Sequence, residues 1–308
     1  MSGTNSARAY RDVFTRPEKQ APVARGWVGQ PDKLNPARFG SHFVTLIIMS
    51  GWQQDKSFQG LAAKFARNIY GTPKGRLRLK ILRDRMLAEL PLDEAPLEVL
   101  DAGGGLGQIS AWLARKGHQV LLAEPAEEML DYAARRLRRS GVQTLPASIQ
   151  QLAEQLPDNQ QSFDLVVCHA VLEWLYHPRA TLEELLPRVK AGGWLSLMFF
   201  NADALLFTNV VRGNWQRALD GNLQGKGKGS RLTPISPLQP QEVISWLEEA
   251  GFAIHGKTGV RVFNDYLRLQ LPPEARGERL LQLEKKYCQQ EPYWRLGRYV
   301  LLHVQKTP

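Results

Sequence analysis

The run VLDAGGGLGQ, residues 99–108, is an apolar stretch that ends on an acid and then breaks into glycines. A strand leading into Gly103, Gly104, Gly105 and Gly107 lets the backbone approach a ligand where any Cβ would collide. The helix that follows, from about Gln108, points its amino end at the same ligand. Two acids accompany the turn. Asp101 stands two residues before the first glycine, and Glu124 ends the next apolar run, where a carboxylate can accept both hydroxyls of a ribose. A dinucleotide fingerprint would need glycine at Gln108, and Asp101 would lie close to negative phosphates. S-adenosylmethionine carries a ribose and a cationic sulfonium amino acid but no pyrophosphate, so acid, glycines and acid in that order suit it. NAD or FAD, and a glycine turn with no ligand, are the alternatives.

The elements that must hold this turn alternate along the chain. FQGLAAKFARNIY has helical spacing, with Phe58, Leu61, Phe65 and Ile69 on one face. GTPKG (71–75) breaks it, and RLRLKILRDRMLAEL resumes as a basic amphipathic helix. Apolar strands are expected at 97–102, 119–124, 163–169 and 194–200, with helical stretches at 107–116, 126–139 and 179–189. Continuous apolar strands alternating with helices give an α/β fold with a parallel, doubly wound sheet. A helix over 240–251, a strand over 253–263, a helix near 275–289 and a closing strand at 298–306 complete the reading.

The chain has 308 residues and a net charge of +10, and no apolar stretch reaches the roughly 20 residues that span a bilayer. Cys168 and Cys288 are far apart and offer neither a disulfide framework nor a metal spacing, which points to a reducing, cytoplasmic setting. Residues 1–48 hold seven Lys and Arg against three Asp and Glu and read as a disordered extension, with Met49 as an alternative start of translation. The catalytic domain is expected over 58–308. A basic surplus of this size favours polyanionic partners. Among glycines 221–232, Lys226, Lys228 and Arg231 form a basic loop that can track a phosphate backbone, or else a solvated linker. Helix 76–86, with Arg76, Arg78, Lys80, Arg83 and Arg85, is a second candidate.

The blocks KFARNIYGTPKGRLR, LDAGGGLGQ, HAVLEWL, LSLMFFN, GKTGVRVFNDYLR and QEPYWRLGRY together resemble the bacterial tRNA 5-carboxymethoxyuridine methyltransferases. The glycine turn is common to class I methyltransferases; RNIYGTPKG and GKTGVRVFNDYL are much more distinctive. The resemblance runs from about Phe58 to the last strand. It implies a Rossmann-like, seven-stranded class I sheet with an antiparallel final strand. It also implies S-adenosylmethionine-dependent esterification of the carboxymethoxy group on the wobble uridine, with the tRNA anticodon stem-loop as partner and no metal. The implied cofactor site is Arg78, Gly103, Gly104, Glu124, Ser148, Ile149, Gln150 and His169, to which the turn itself adds Asp101 and Gly105. PASIQQL (146–152) lacks the acid usual in that segment.

A carboxylate with a pKa near 4 is ionised at neutral pH, so no general base is expected, and the work is alignment. Holding such a group calls for arginine or neutral donors. Positioning candidates are Arg261 and Lys257 in GKTGVR, Asn201 at the end of the fifth strand, Tyr70 in RNIYG, and His169 at a strand's carboxyl end. Each has a plainer alternative: a surface arginine, a turn asparagine, a packing tyrosine, a buried histidine. Trp174 and Trp52 could stack on bases or pack in the core. Two rival functions stay open, a related methyltransferase acting on a small carboxylic acid or quinone precursor, and a noncatalytic RNA-binding protein.

Overall fold

A computed structural model describes residues 55–56, 58–156, 161–221, 223, 234–267 and 273–308. The expected extension 1–48, Met49, Trp52 and the loop residues Lys226, Lys228 and Arg231 lie outside the described residues.

The elements in chain order are α1 (Ala62–Phe65), α2 (Pro73–Glu89), β1 (Glu98–Ala102), α3 (Gln108–Arg115), β2 (Gln119–Ala123), α4 (Glu127–Leu137), β3 (Gln143–Leu145) and α5 (Leu152–Gln155). There follow β4 (Phe163–His169), α6 (Pro178–Leu185), β5 (Val189–Phe200), α7 (Ala202–Val211), α8 (Trp215–Leu219), α9 (Pro240–Glu249), β6 (Phe252–Val260), α10 (Pro273–Tyr287) and β7 (Tyr299–Lys306). The seven strands lie in the order 3-2-1-4-5-7-6. β1 to β5 pair in parallel, and β7 inserts antiparallel between β5 and β6.

Alternation along each strand feeds two core layers. Val99, Leu165 and Val167 meet Met86 of α2 and Leu113 of α3 on one face. Leu100, Val166, Leu195 and Leu197 meet Leu182 and Leu185 of α6 and Ile244 and Leu247 of α9 on the other. Helices on both faces of a sheet whose order reverses beside β1 leave a crevice at the strands' carboxyl ends.

The expected single helix over 58–70 is instead the short α1 and a π-helical turn, Ala66–Tyr70. The widened turn closes where the Gly71 N–H reaches back to the Ala66 carbonyl at 3.0 Å. A Cβ on Gly71 would stand 2.8 Å from the Arg67 carbonyl oxygen, so glycine is required there. The cations of helix 76–86 do not share one face. Arg78 is buried, Arg85 pairs with Glu89 and Gln289, and Arg76 and Lys80 stay exposed.

Candidate active site

The crevice holds a cavity of about 330 Å3 at the ends of β1, β2 and β4. The glycine turn forms its floor. A Cβ on Gly103 would stand 2.5 Å from Val171 Cγ2, and one on Gly104 would stand 2.8 Å from Asp101 Oδ2 and 2.9 Å from Leu122 Cγ. Only glycine lets the chain pass between these groups. Glu124 lies opposite, one carboxylate oxygen accepting the Gly105 N–H and the other the Ala126 N–H, each at 3.0 Å. Burial raises its pKa, against the pull of those two hydrogen bonds. Asp101 accepts a hydrogen bond from the Ser110 hydroxyl, and burial pushes its carboxyl up to about 6.

Ser148, Ile149 and Gln150 line the cavity where the segment after β3 turns. The Ser148 N–H donates to Gln151 Oε1 at 2.9 Å, and Gln150 Nε2 donates to Thr181 Oγ1 at 3.1 Å. Both bonds fix the turn without the acid absent from PASIQQL. Phe58 and Trp174, whose rings meet edge to face at 5.0 Å, close an apolar wall.

His169 ends β4 and faces the cavity. Its Nε2 lies 2.8 Å from Ser196 Oγ, while Nδ1 is buried with no hydrogen-bond partner. Burial, with the charges of His303 and Arg78 adding, pulls its pKa down to about 3, so the ring is neutral. Ser196 stands opposite His303 in the β5–β7 register, and His303 Nδ1 lies 2.6 Å from Glu89 Oε2. Buried Ser196 thus braces the histidine from behind.

Arg78 reaches the cavity from α2, its guanidinium carbon 5.6 Å from the centre of the Tyr299 ring. Arg261 lies 5.9 Å from that same ring centre. Its φ of 67° is a left-handed conformation rare for residues with a side chain, and it is bound to Asp265 through both Nε, at 2.7 Å, and Nη2. Arg298 lies 4.4 Å over the Phe200 ring and forms no ion pair among the described residues. Burial, with Arg261 and Arg212 adding, lowers its pKa, although a guanidinium stays charged.

Three positioning candidates, Arg261, Asn201 and Lys257, are not among the residues that line the cavity. Asn201 is fully buried and donates both amide hydrogens, to the Arg295 carbonyl at 2.7 Å and the Gly297 carbonyl at 2.9 Å. Its Oδ1 accepts the Asp203 N–H and caps α7, so the amide has nothing left for a substrate. Lys257 is exposed on β6, its ammonium 6.0 Å from the Trp294 ring centre. Tyr70 ends the π-helical turn, and its side chain lies outside the described residues. Sequence reasoning assigned no role to Arg298 or Ser196. Ser196 meets His169 through the parallel pairing of β5 with β4. Arg298 is brought to the end of β5 by the antiparallel pairing with the β7 segment, for which the local sequence carries no signal.

The methyltransferase domain family matches residues 100–197. A tRNA 5-carboxymethoxyuridine methyltransferase of Escherichia coli K12 is 45% identical over 260 residues, covering 82% of this chain and 97% of that protein. The chain belongs to the tRNA 5-carboxymethoxyuridine methyltransferase family. A ubiquinone biosynthesis O-methyltransferase of Xanthomonas axonopodis is 31% identical over 169 residues, covering 55% of this chain and 68% of its own. The magnesium protoporphyrin IX methyltransferase of Synechocystis, solved with bound S-adenosylhomocysteine, shares the fold with a TM-score of 0.54 at 16% identity, covering 81% of this chain and 96% of that one.

The residues of this family member fit S-adenosylmethionine. The backbone cradle that a Cβ would fill, two acids lining the cavity, and the orphaned His169 Nδ1 are what such a ligand needs. Among the described residues no helix is long and apolar enough to cross a membrane, no cluster is suited to a metal, and both cysteines are free and buried.

Proposed function

We propose that this protein transfers the methyl group of S-adenosylmethionine to the carboxylate of 5-carboxymethoxyuridine at the wobble position of tRNA, in the cytoplasm, with the anticodon stem-loop as the docking element. The observation that carries this reading is 45% identity with the E. coli enzyme over an alignment that covers 97% of that protein. When bound, the cofactor supplies an electrophilic methyl on a sulfonium. Glu124 would accept from the ribose hydroxyls, Asp101 would face the cationic amino-acid part, and the backbone of 103–105 would lie against the ligand. Arg78 and His169 would complete the shell.

The chemistry of the nucleophile agrees with the site. A carboxylate arrives ionised. His169, the imidazole on the cavity wall, is held neutral with a pKa near 3 and is a poor proton acceptor. A phenolic hydroxyl, as in a quinone precursor, would need such an acceptor, which disfavours that alternative. Transfer between an anion and a cationic donor would be favoured where little water enters, and the apolar wall of Phe58 and Trp174 would exclude it. The rest of the protein's task would be to align the two reactants.

Arg298, which forms no ion pair among the described residues, is our candidate cation for the spectator oxygen, since Arg261 is committed to Asp265. The Arg261–Asp265 pair buttresses Tyr299 and the Arg298 backbone, whose N–H reaches the Arg261 carbonyl at 3.4 Å. The test is nucleoside mass analysis of tRNA carrying the free acid after treatment with protein and donor. A gain of one methyl that mild alkali removes is expected; no gain, or an alkali-stable one, overturns the reading. In the same assay Arg298→Gln should lower kcat/KM for tRNA by about 100-fold, the loss of one charged hydrogen-bond partner, while S-adenosylhomocysteine affinity stays within a few fold. Turnover equal to the parent's would move the carboxylate to another group.

A further inference from the structure

A second positive surface stands at the far end of α4. Arg135 and Arg136 occupy its last turn, Arg138 caps it and Arg139 follows, and together they line a shallow hollow of about 400 Å3. Arg115, in the last turn of α3, and Arg83, from α2, extend the surface. Burial and the charges of Arg115 and Arg136 together lower the pKa of Arg83, whose Nε is buried without a hydrogen-bond partner. None of these six arginines forms an ion pair among the described residues. One or two cations in a last turn complement a helix's negative end. Six without a counter-charge exceed that need and repel one another.

The surface suits phosphate better than lipid. Guanidinium forks match phosphate oxygens. The apolar side of α4, Met129, Ala133 and Leu137, is buried in the core, which leaves no apolar face to enter a bilayer. α4 also starts beside Glu124, at the cavity, and its 11 residues carry the chain roughly 16 Å. Over that length a nucleic-acid duplex presents roughly ten phosphate charges.

We propose that Arg115, Arg135, Arg136, Arg138 and Arg139 form a second contact for tRNA, gripping duplex phosphates away from the reacting nucleotide. The identity of the polyanion rests on the function proposed above. The experiment measures equilibrium binding of tRNA to the full-length protein between about 50 and 200 mM salt. The variant R135Q/R136Q/R138Q/R139Q should bind about tenfold or more weakly, with a salt slope shallower by about two to four. The corresponding four-lysine variant should recover most of the affinity, and S-adenosylhomocysteine should bind all three proteins alike. A glutamine variant that keeps the parent's tRNA affinity and slope overturns the proposal. So does one that loses only binding to anionic phosphatidylglycerol vesicles, which would assign the surface to lipid. Binding and methyl transfer separate the two claims: a parent that grips tRNA through these arginines yet transfers no methyl supports the surface and overturns the activity.

Discussion

Asp101 shows how one side chain can link the cavity to pH. Burial raises its carboxyl to about 6, and the hydrogen bonds at Ser110 oppose that rise. A cationic ammonium bound beside it favours the ionised form, so below about pH 6 ligand binding must release a proton. S-adenosylhomocysteine affinity is therefore expected to rise about tenfold from about pH 5 to about pH 7 and to level off above. Glu124, raised in the same direction, steepens the rise. Calorimetric titration across that range checks it; Asp101→Asn should flatten the lower part of the curve, and a parent curve already flat there would remove Asp101 from the cationic side. The place of Asp101, Glu124, Gly103, Gly104 and Gly105 on the cavity was legible in the sequence because it follows from residue type and short-range spacing. Arg298 was not, since its place depends on β7 pairing with a strand about a hundred residues earlier. Asn201 misled for a related reason: an asparagine at a strand end looks alike whether it faces a ligand or closes a turn on the Arg295 and Gly297 carbonyls.

Between residue and fold, the turn after β4 joins the cavity wall to the chain that returns from α8. The Glu173 carbonyl accepts the N–H groups of Ile235 and Ser236, each at 3.0 Å. Its side chain is 1% exposed, and burial pushes the carboxyl up to about 8, with Arg78 only partly opposing. An unfolded glutamate titrates near 4.5. From there to about pH 8 the unfolded chain gives up a proton that the folded chain keeps, so stability falls with rising pH across that window and is level above it. Glu173→Gln keeps the shape and removes the titration. It should be more stable than the parent by about 1–3 kcal/mol at about pH 8, with the gain shrinking toward about pH 5. Thermal melts at the two pH values decide; a variant equally destabilised at both would mean that the carboxyl does not titrate in this window. The central strands could be read within a residue or so, because burial on both faces makes them continuously apolar. Two elements escaped. β3 is a three-residue edge strand with exposed Gln143 and Thr144. The start of β5, ahead of the expected strand at 194–200, contains Gly192 and Gly193, which weaken a strand signal yet lie in a strand joined to β4 through an irregular register.

For the molecule as a whole the governing quantity is charge. The chain carries +10, and the cations assigned above are Arg298 just before β7, the arginines at the ends of α3 and α4, and Lys226, Lys228 and Arg231, which lie outside the described residues. A polyanion that touches several groups at once releases counterions from each, so their contributions to the salt slope add, whereas independent partners would not sum in one titration. Cofactor binding, confined to the cavity, should ignore salt. Neutralising Lys226, Lys228 and Arg231 together should raise the KM for tRNA and shallow its slope by about two to three. Combined with the four glutamines at the end of α4, the loss of slope should approach the sum of the two separate losses. Steady-state methylation at several salt concentrations, with S-adenosylhomocysteine affinity as the control, measures all of it. If the combined variant is no shallower than either parent variant, the two groups do not hold the same tRNA at the same time, and the charge surplus is not organised around one substrate.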